Sequence, residues 1–214
     1  MHAAVVVFPG SNCDRDLAVG FEAMFERACA RVWHADTTLP EVDVIGVPGG
    51  FSYGDDVSAG TVMAVELVSF LADELADFVA AGTPVLGICN GFQVLTETGL
   101  LPGALMRNAN LKFICKTVDL KVETSNSAFT EGYNAGDKVG FPIAHHDGNY
   151  TVDDATLAAL KAEDRIAFSY GHNPNGSVAN IAGVLSENRR VLGMMPHPER
   201  AVDAGHGGTD GQAL

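Results

Sequence analysis

The stretch Pro84-Val-Leu-Gly-Ile-Cys-Asn-Gly-Phe-Gln93 carries the residue best suited to covalent chemistry. An apolar run ends in Cys89, with Gly87 and Gly91 two places to either side. This is the cysteine form of the nucleophile elbow, a sharp strand-to-helix turn that holds a side chain out at a strand tip. Glycines on both sides let neighbouring backbone crowd the turn. A helix start behind the sulfur favours the thiolate, which is the nucleophile. Taken alone, the same pattern also fits a structural thiol buried at a strand end.

A cysteine nucleophile needs a base, and the base needs an orienting partner. Val191-Leu-Gly-Met-Met-Pro-His-Pro-Glu-Arg200 supplies both types. A second apolar strand ends in a loop carrying His197 and Glu199. In extended backbone, residues two apart project to the same side, and Pro196 and Pro198 restrict the loop. Glu199 can then hold the His197 imidazole in one tautomer; a pair with Arg200 is its alternative. A third segment, Val44-Ile-Gly-Val-Pro-Gly-Gly-Phe-Ser-Tyr-Gly-Asp55, runs from a strand into a glycine-rich loop. Backbone N–H groups at Gly49 and Gly50 can approach a ligand closely. One such donor, with the N–H of Asn90 just after the nucleophile, makes an oxyanion hole. The spacing fits neither phosphate-binding glycine pattern, so nucleotide binding is set aside.

The elements around these segments alternate in type. Strands are expected at 3–8, 31–33, 42–47 and 84–89, and helices at 15–30 and 59–81, with a short helix from the elbow to about Gly99. Leu17, Phe21, Met24, Phe25 and Ala28 form the stripe of the first helix. Such alternation implies an α/β fold with a mostly parallel central sheet flanked by helices, and catalytic loops at the carboxyl ends of its strands. The second half changes character. Strands at 113–122, 139–144, 166–170 and 178–184 read as an antiparallel extension, with 191–195 returning to the main sheet. The tail His206-Gly-Gly-Thr-Asp-Gly211 is expected to be flexible.

The chain has 214 residues, 47% of them hydrophobic, which makes one domain, 1–214, the expectation. The longest apolar runs fall well short of the ~18 residues that span a membrane. Four cysteines without a C-x-x-C or zinc spacing, and no signal peptide, imply a cytosolic chain with free thiols. A net charge of −14 argues against nucleic acid and anionic membranes as partners. It also makes the chain a poor host for a phosphorylated substrate unless a partner brings the cations. His145-His146-Asp147 is too short and contiguous to read as a metal site, and none is expected.

Pro48-Gly-Gly50, Gly87-x-Cys-x-Gly-x-Gln93 and His197-Pro-Glu199 resemble the class I (triad) glutamine amidotransferases, whose fold is flavodoxin-like. Finer motifs resemble the glutaminase-subunit family of phosphoribosylformylglycinamidine synthase, an enzyme of purine biosynthesis. These are Phe8-Pro-Gly-Ser-Asn-Cys-Asp14, Gly50-Phe-Ser-Tyr-Gly-Asp55, Gly91-Phe-Gln93, Arg107-Asn108, Leu111-Lys-Phe-Ile-Cys115, Ala144-His145, Asn175-Gly-Ser177 and Met195-Pro-His-Pro-Glu-Arg200. The match runs from Val5 to about Gly211. Family members usually follow Gly-Asp in the second motif with an aromatic, a Leu and an Arg; Asp56-Val-Ser58 stands there instead, which bears on partner contacts rather than chemistry.

The resemblance implies hydrolysis of the glutamine side-chain amide through a thioester on Cys89, with His197 as base and Glu199 as its orienter. It implies an oxyanion hole at Gly50 and Asn90. It also implies substrate contacts at Gly49 and Gln93; Gln93 lies four residues, about one helical turn, past Cys89. Asn108 and Phe113 are further substrate-contact candidates. Asp14 and His145 match family positions without a derivable role, and Phe8, Phe51, Tyr53 and Phe92 read as packing. No cofactor is expected in this chain. The implied partners are a synthetase subunit, which holds ATP and Mg and converts formylglycinamide ribonucleotide to the amidine, and a small third subunit.

Overall fold

The computed structural model describes residues 1–36, 38–51 and 77–214. The expected 59–81 helix lies outside the described residues except at its end, where 77–80 are helical.

Four short, fully apolar segments make the parallel half of the sheet: β1 (Ala3–Val7), β3 (Val44–Val47), β4 (Val85–Ile88) and β11 (Val191–Met194). Nearly every residue in them is buried, the signature of strands covered on both faces. The half-exposed β2 (Ala30–Trp33) closes one edge. The other half is antiparallel: β6 (Ile114–Val122), β7 (Lys138–His145), β9 (Ile166–Tyr170) and β10 (Ile181–Leu185). Among the described residues they form one nine-stranded sheet ordered β2-β1-β3-β4-β11-β10-β9-β6-β7. β11 is the seam, parallel to β4 and antiparallel to β10. The sequence places it there correctly, and the antiparallel half follows as expected. β5 (Ala104–Met106) and β8 (Asn149–Thr151), which local pattern did not single out, form a separate two-stranded sheet.

The helix α1 (Asp14–Phe25) buries Leu17, Ala18, Gly20 and Phe21. A Cβ on Gly46 of β3 would lie 2.7 Å from Leu17 Cδ2, so glycine there lets helix and sheet close up. α1 ends well before residue 30. Glu26 is left-handed (φ 50°), which stops the helix and frees 27–29 to turn into β2. α2 (Asn90–Glu97) follows the elbow and ends before Gly99, as expected. α3 (Asp154–Ala162), not anticipated, is capped by Asp153, whose carboxylate accepts from Thr156 N–H at 2.7 Å.

Two further expectations are corrected. The strand expected at 178–184 begins only at Ile181, because Ala179 and Asn180 take left-handed φ values and make a 3-10 turn. The C-terminal tail is packed rather than free. Tyr133 OH donates to Asp210 O (2.7 Å), Gly140 N–H to the Asp210 carboxylate (2.8 Å) and Gly211 N–H to Ala201 O (2.8 Å). No helix among the described residues is long and apolar enough to cross a membrane.

Candidate active site

β4 and β11 run parallel and in register, Gly87 beside Gly193 and Ile88 beside Met194. Their carboxyl ends therefore stop at one level, and the two following loops meet. Cys89 N–H donates to Met194 O (2.8 Å). Cys89 itself is in an unusual conformation, φ 54° and ψ −109°, as expected of a residue squeezed between a strand and a helix. The flanking glycines explain why the turn closes. A Cβ on Gly87 would run into Leu95 and the Gly91 carbonyl, and one on Gly91 into the carbonyl of Val47. The buried Cys89 thiol lies 3.7 Å from Ala144 O, at the end of β7.

His197 and Glu199 sit where the other loop meets the elbow. Pro198–Arg200 forms a 3-10 turn rather than the extended segment expected, yet His197 Nδ1 and Glu199 Oε1 are 2.6 Å apart. Arg200 Nε stands 3.9 Å from the same oxygen and pairs better with Asp16, at 3.1 Å, so Glu199 serves the imidazole. Pro142 sits on β7, an edge strand where a missing N–H costs nothing, and its carbonyl accepts His197 N–H at 2.8 Å. Burial disfavours a charge on His197, but the Glu199 carboxylate and the nearby Cys89 sulfur overcome it and push the pKa up to about 10. Nε2 is the nitrogen left for the Cys89 sulfur, whose thiol also lies 3.7 Å from Ala144 O. A neighbouring thiol, Cys13, is pushed up to about 12 by burial despite Arg200 NH2 at 3.0 Å, which keeps it protonated and unreactive.

Gly49 and Gly50 border this centre. A Cβ on Gly49 would lie 2.9 Å from His197 Cε1 and 3.2 Å from Cys89 Cβ, so this backbone faces the nucleophile. Gly50 has φ 132° and packs against Asn12, where a side chain would clash. Ser11 Oγ donates to Gly49 O at 3.3 Å. Asn90 opens α2, so its N–H has no intrahelical acceptor and is available beside Cys89.

The substrate-contact candidates fare differently. Gln93 is buried and its amide is held at both ends: Oε1 accepts from Asn90 Nδ2 (2.8 Å), and Nε2 donates to Asp147 O (2.6 Å). Asn108 is wholly buried. Its Nδ2 donates to Lys112 O (2.8 Å) and His145 O (3.0 Å), and its Oδ1 meets His145 Nδ1 (3.1 Å) and Gly148 N–H (3.1 Å). Both side chains bond to the 145–148 loop, and Asn108 uses all four of its hydrogen-bonding positions within the protein. Phe113 is half exposed and its ring lies 6.1 Å from that of Phe51, next to Gly50, at the rim of the site. Phe8 stacks on His34 and Phe92 on Tyr150, in the packing roles expected. Tyr53 and Asp56-Val-Ser58 lie outside the described residues. Asp14 opens the first turn of α1.

Sequence reasoning left His145 without a role, and gave none to Gly148, Asn175 or Ser177 around it. Asn175 Nδ2 and Ser177 Oγ both donate to Gly148 O, at 2.7 and 3.2 Å. The signal was present in the matched motifs, but partners so distant in sequence have no local spacing. His146 Nε2 meets Leu111 O (3.2 Å) and Asp147 pairs with Arg107 (3.1 Å), so this triplet is dispersed. No group of three potential ligands among the described residues is placed to hold a metal ion.

His145 makes stability sensitive to acid. Burial, then the neighbouring charge of His197, push its pKa down from 6.5 to about 4. Between those values the unfolded chain binds a proton that the folded chain refuses. Stability is therefore complete above pH 6.5 and is lost as pH falls toward 4. At about 1.4 kcal/mol per unit, this residue alone accounts for up to roughly 3 kcal/mol. His197 acts in a separate window: its contribution is present below pH 6.5 and lost as pH rises toward about 10. Urea unfolding between pH 7 and 5 should show a shallower loss for His145→Gln than for the wild type; equal losses would exonerate His145.

Comparison with known proteins agrees with this geometry. Residues 1–207 match the CobB/CobQ-like glutamine amidotransferase domain. The phosphoribosylformylglycinamidine synthase subunit PurQ of Roseobacter denitrificans is 68% identical over all of this chain and 95% of that protein. A chain in the structure of PurLQS from Thermotoga maritima is 43% identical, with a TM-score of 0.86 over 99% of this chain and 94% of that one. The glutaminase domain of Trypanosoma brucei CTPS, at 15% identity and a TM-score of 0.57, shares the fold; the match covers all of this chain and 91% of that one. The chain thus belongs to the glutamine amidotransferase family, among the subunits of phosphoribosylformylglycinamidine synthase that supply its glutaminase.

Proposed function

We propose that this chain hydrolyses glutamine to glutamate and ammonia and passes the ammonia to a synthetase subunit that makes formylglycinamidine ribonucleotide. The observation that carries the reading is the contiguous set Cys89, His197 and Glu199, in which the imidazole is tied through Nδ1 to the carboxylate and meets the sulfur with its other nitrogen. The thiol proton passes to His197 Nε2, whose protonated form Glu199 and the Cys89 sulfur favour, and Cys89 Sγ bonds to the amide carbon. The N–H groups of Gly50 and Asn90 receive the oxyanion. His197 returns the proton to the nitrogen, the C–N bond breaks, and ammonia departs. Water then loses a proton to His197, attacks the thioester, and releases glutamate and the thiol. Glu199 keeps Nδ1 protonated and stabilises the imidazolium throughout. Gly49 backs the substrate, which leaves no room for a side chain there.

The synthetase subunit and a small third subunit complete the enzyme. ATP and Mg belong to the synthetase, since the motifs of this chain include none for a nucleotide. The cytosolic setting of free thiols and purine intermediates is part of the same reading. Hydrolysis uncoupled from synthesis wastes glutamine, so the activity of this chain should depend on the partner. The Gly49–Gly50 peptide is the lever: turned over, it withdraws one oxyanion donor, worth roughly 10²–10³ in kcat. Glutamine hydrolysis is to be measured for the chain alone and then with synthetase, small subunit, ATP and ribonucleotide. The expected result is a rise of roughly that size together with glutamine-dependent amidine formation. Full activity in the isolated chain would rule out gating, and no amidine from glutamine would rule out the pathway.

A further inference from the structure

Two chains of hydrogen bonds end at Asn90, next to Cys89, and at His145, next to the Ala144 carbonyl that lies 3.7 Å from its sulfur, and in each the direction of every bond is forced. The first starts at Asp147 O, which can only accept. Gln93 must therefore present Nε2 to it, leaving Gln93 Oε1 to accept from Asn90 Nδ2. Asn90 Oδ1 is left over: it is buried and has no hydrogen-bond partner among the described residues. The second starts at Lys112 O and His145 O, both acceptors, which fix Asn108 Nδ2. Asn108 Oδ1 must then accept from Gly148 N–H and from His145 Nδ1, so the His145 proton sits on Nδ1. His145 Nε2 is left as a bare lone pair, again buried and without such a partner. Asn90 is 1% and His145 3% exposed. Unpaired buried acceptors are costly and call for an explanation.

Their placement suggests one. Asn90 directly follows Cys89. His145 directly follows Ala144, whose carbonyl lies 3.7 Å from the Cys89 sulfur, and it is close enough to His197 to feel its charge. Gly148 has no side chain, so the loop passes across the His145 ring, where a Cβ would collide. Resting on the glutaminase reading above, we propose that Asn90 Oδ1 and His145 Nε2 are the acceptors that hold the nitrogen of the scissile amide and of the ammonia it becomes.

A carboxamide has an acceptor end and a donor end. The Gly50 and Asn90 N–H groups suit its oxygen, and two orphan acceptors suit its nitrogen. Both acceptors are uncharged, which matches a neutral NH₂ or NH₃; the α-ammonium of glutamine calls for a carboxylate. The step balances without them as proton carriers. His197 gives the proton, the C–N bond breaks, and the acceptors only receive N–H bonds. With its proton held on Nδ1 by Asn108, His145 Nε2 accepts from the nitrogen and donates nothing to it. The role of Gln93 then changes: it orients Asn90 instead of touching the substrate.

The test uses the assembled enzyme with its synthetase, ATP and ribonucleotide. Hydrolysis of L-glutamine is compared with that of γ-glutamyl methyl ester, which keeps the α-amino acid head but has no N–H on its leaving group. His145→Phe and Asn90→Leu should each lower kcat for glutamine about tenfold or more with KM nearly unchanged, while ester turnover falls far less. His145→Gln should recover part of the loss, because its amide can both donate to Asn108 and offer an oxygen. Alkylation of Cys89 by a chloromethyl ketone analogue of glutamine reports whether the pocket is intact, and it should persist. Equal losses on both substrates, carried by KM, would assign the pair to the α-ammonium and overturn the proposal. Unchanged glutamine turnover would also overturn it. So would loss of alkylation in all three variants, since the pair would then be shaping the pocket. A wild-type complex that neither hydrolyses glutamine nor reacts with the ketone would instead refute the glutaminase reading itself.

Discussion

Cys89→Ala is expected to remove glutamine hydrolysis from the complex completely and to leave synthesis driven by added ammonia intact. Four cysteines are present, all free, but their surroundings separate them. Cys13 and Cys29 are held protonated by burial, at about 12 and about 11, and Cys115 is an exposed strand residue. Only Cys89 occupies a strand-to-helix turn with φ 54°, beside an imidazole whose partner nitrogen is tied to a carboxylate. Alanine fills the same space with less volume and tolerates the same backbone no worse, so the fold and the docking face should survive. The two activities are measured on one preparation, with glutamine and with ammonium salt as alternative donors. Residual glutamine turnover would mean that another group attacks the amide. Loss of both activities would mean that the substitution damaged the assembly, and the free thiols at 13 and 115 would then need separate scrutiny.

His197→Asn should cost nearly as much as loss of the cysteine, because nucleophile and base act as a unit and their deletions do not add. Asparagine can keep a hydrogen bond to Glu199 but cannot accept the thiol proton. Glu199→Gln should cost less. It leaves the imidazole in place but removes the charge that raises the His197 pKa, so the imidazolium formed on proton transfer loses its main support. Single-turnover formation of the thioester, followed across pH, separates the effects. His197→Asn should be slow at every pH. Glu199→Gln should be slowed with an altered pH profile. Near-normal turnover of His197→Asn would move the base elsewhere, and the neutral His145 beside it would be the first alternative.

The proposed catalytic residues could be picked out in the chain because each lies in a short, self-contained segment. The elbow needs an apolar strand, two glycines and a cysteine within a few positions, and collisions with Leu95, Gly91 and Val47 account for both glycines. The His197-Pro-Glu199 pairing is likewise local, and survived even though the backbone there is a 3-10 turn and not extended. The parallel strands were legible for a similar reason: burial on both faces demands continuous apolar runs, and those runs stand out.

Tertiary structure alone decided what the polar side chains around the nucleophile are doing. Gln93 lies one helical turn from Cys89 and looks free to meet a substrate, but its partner is the backbone of Asp147, 54 residues away. Asn108 is satisfied by His145 and Gly148 across 37 and 40 residues. Those distances are set by the pairing of β6 with β7 and by the seam at β11, which no local period encodes. The same applies to the tail, whose glycines suggest mobility until Tyr133 and Gly140 tie it down, and to α1, cut short by one left-handed residue. The candidates for nucleophile, base and orienter follow from local chemistry, whereas the polarity of the hydrogen bonds that leaves Asn90 Oδ1 and His145 Nε2 without a partner among the described residues exists only once distant segments are brought together.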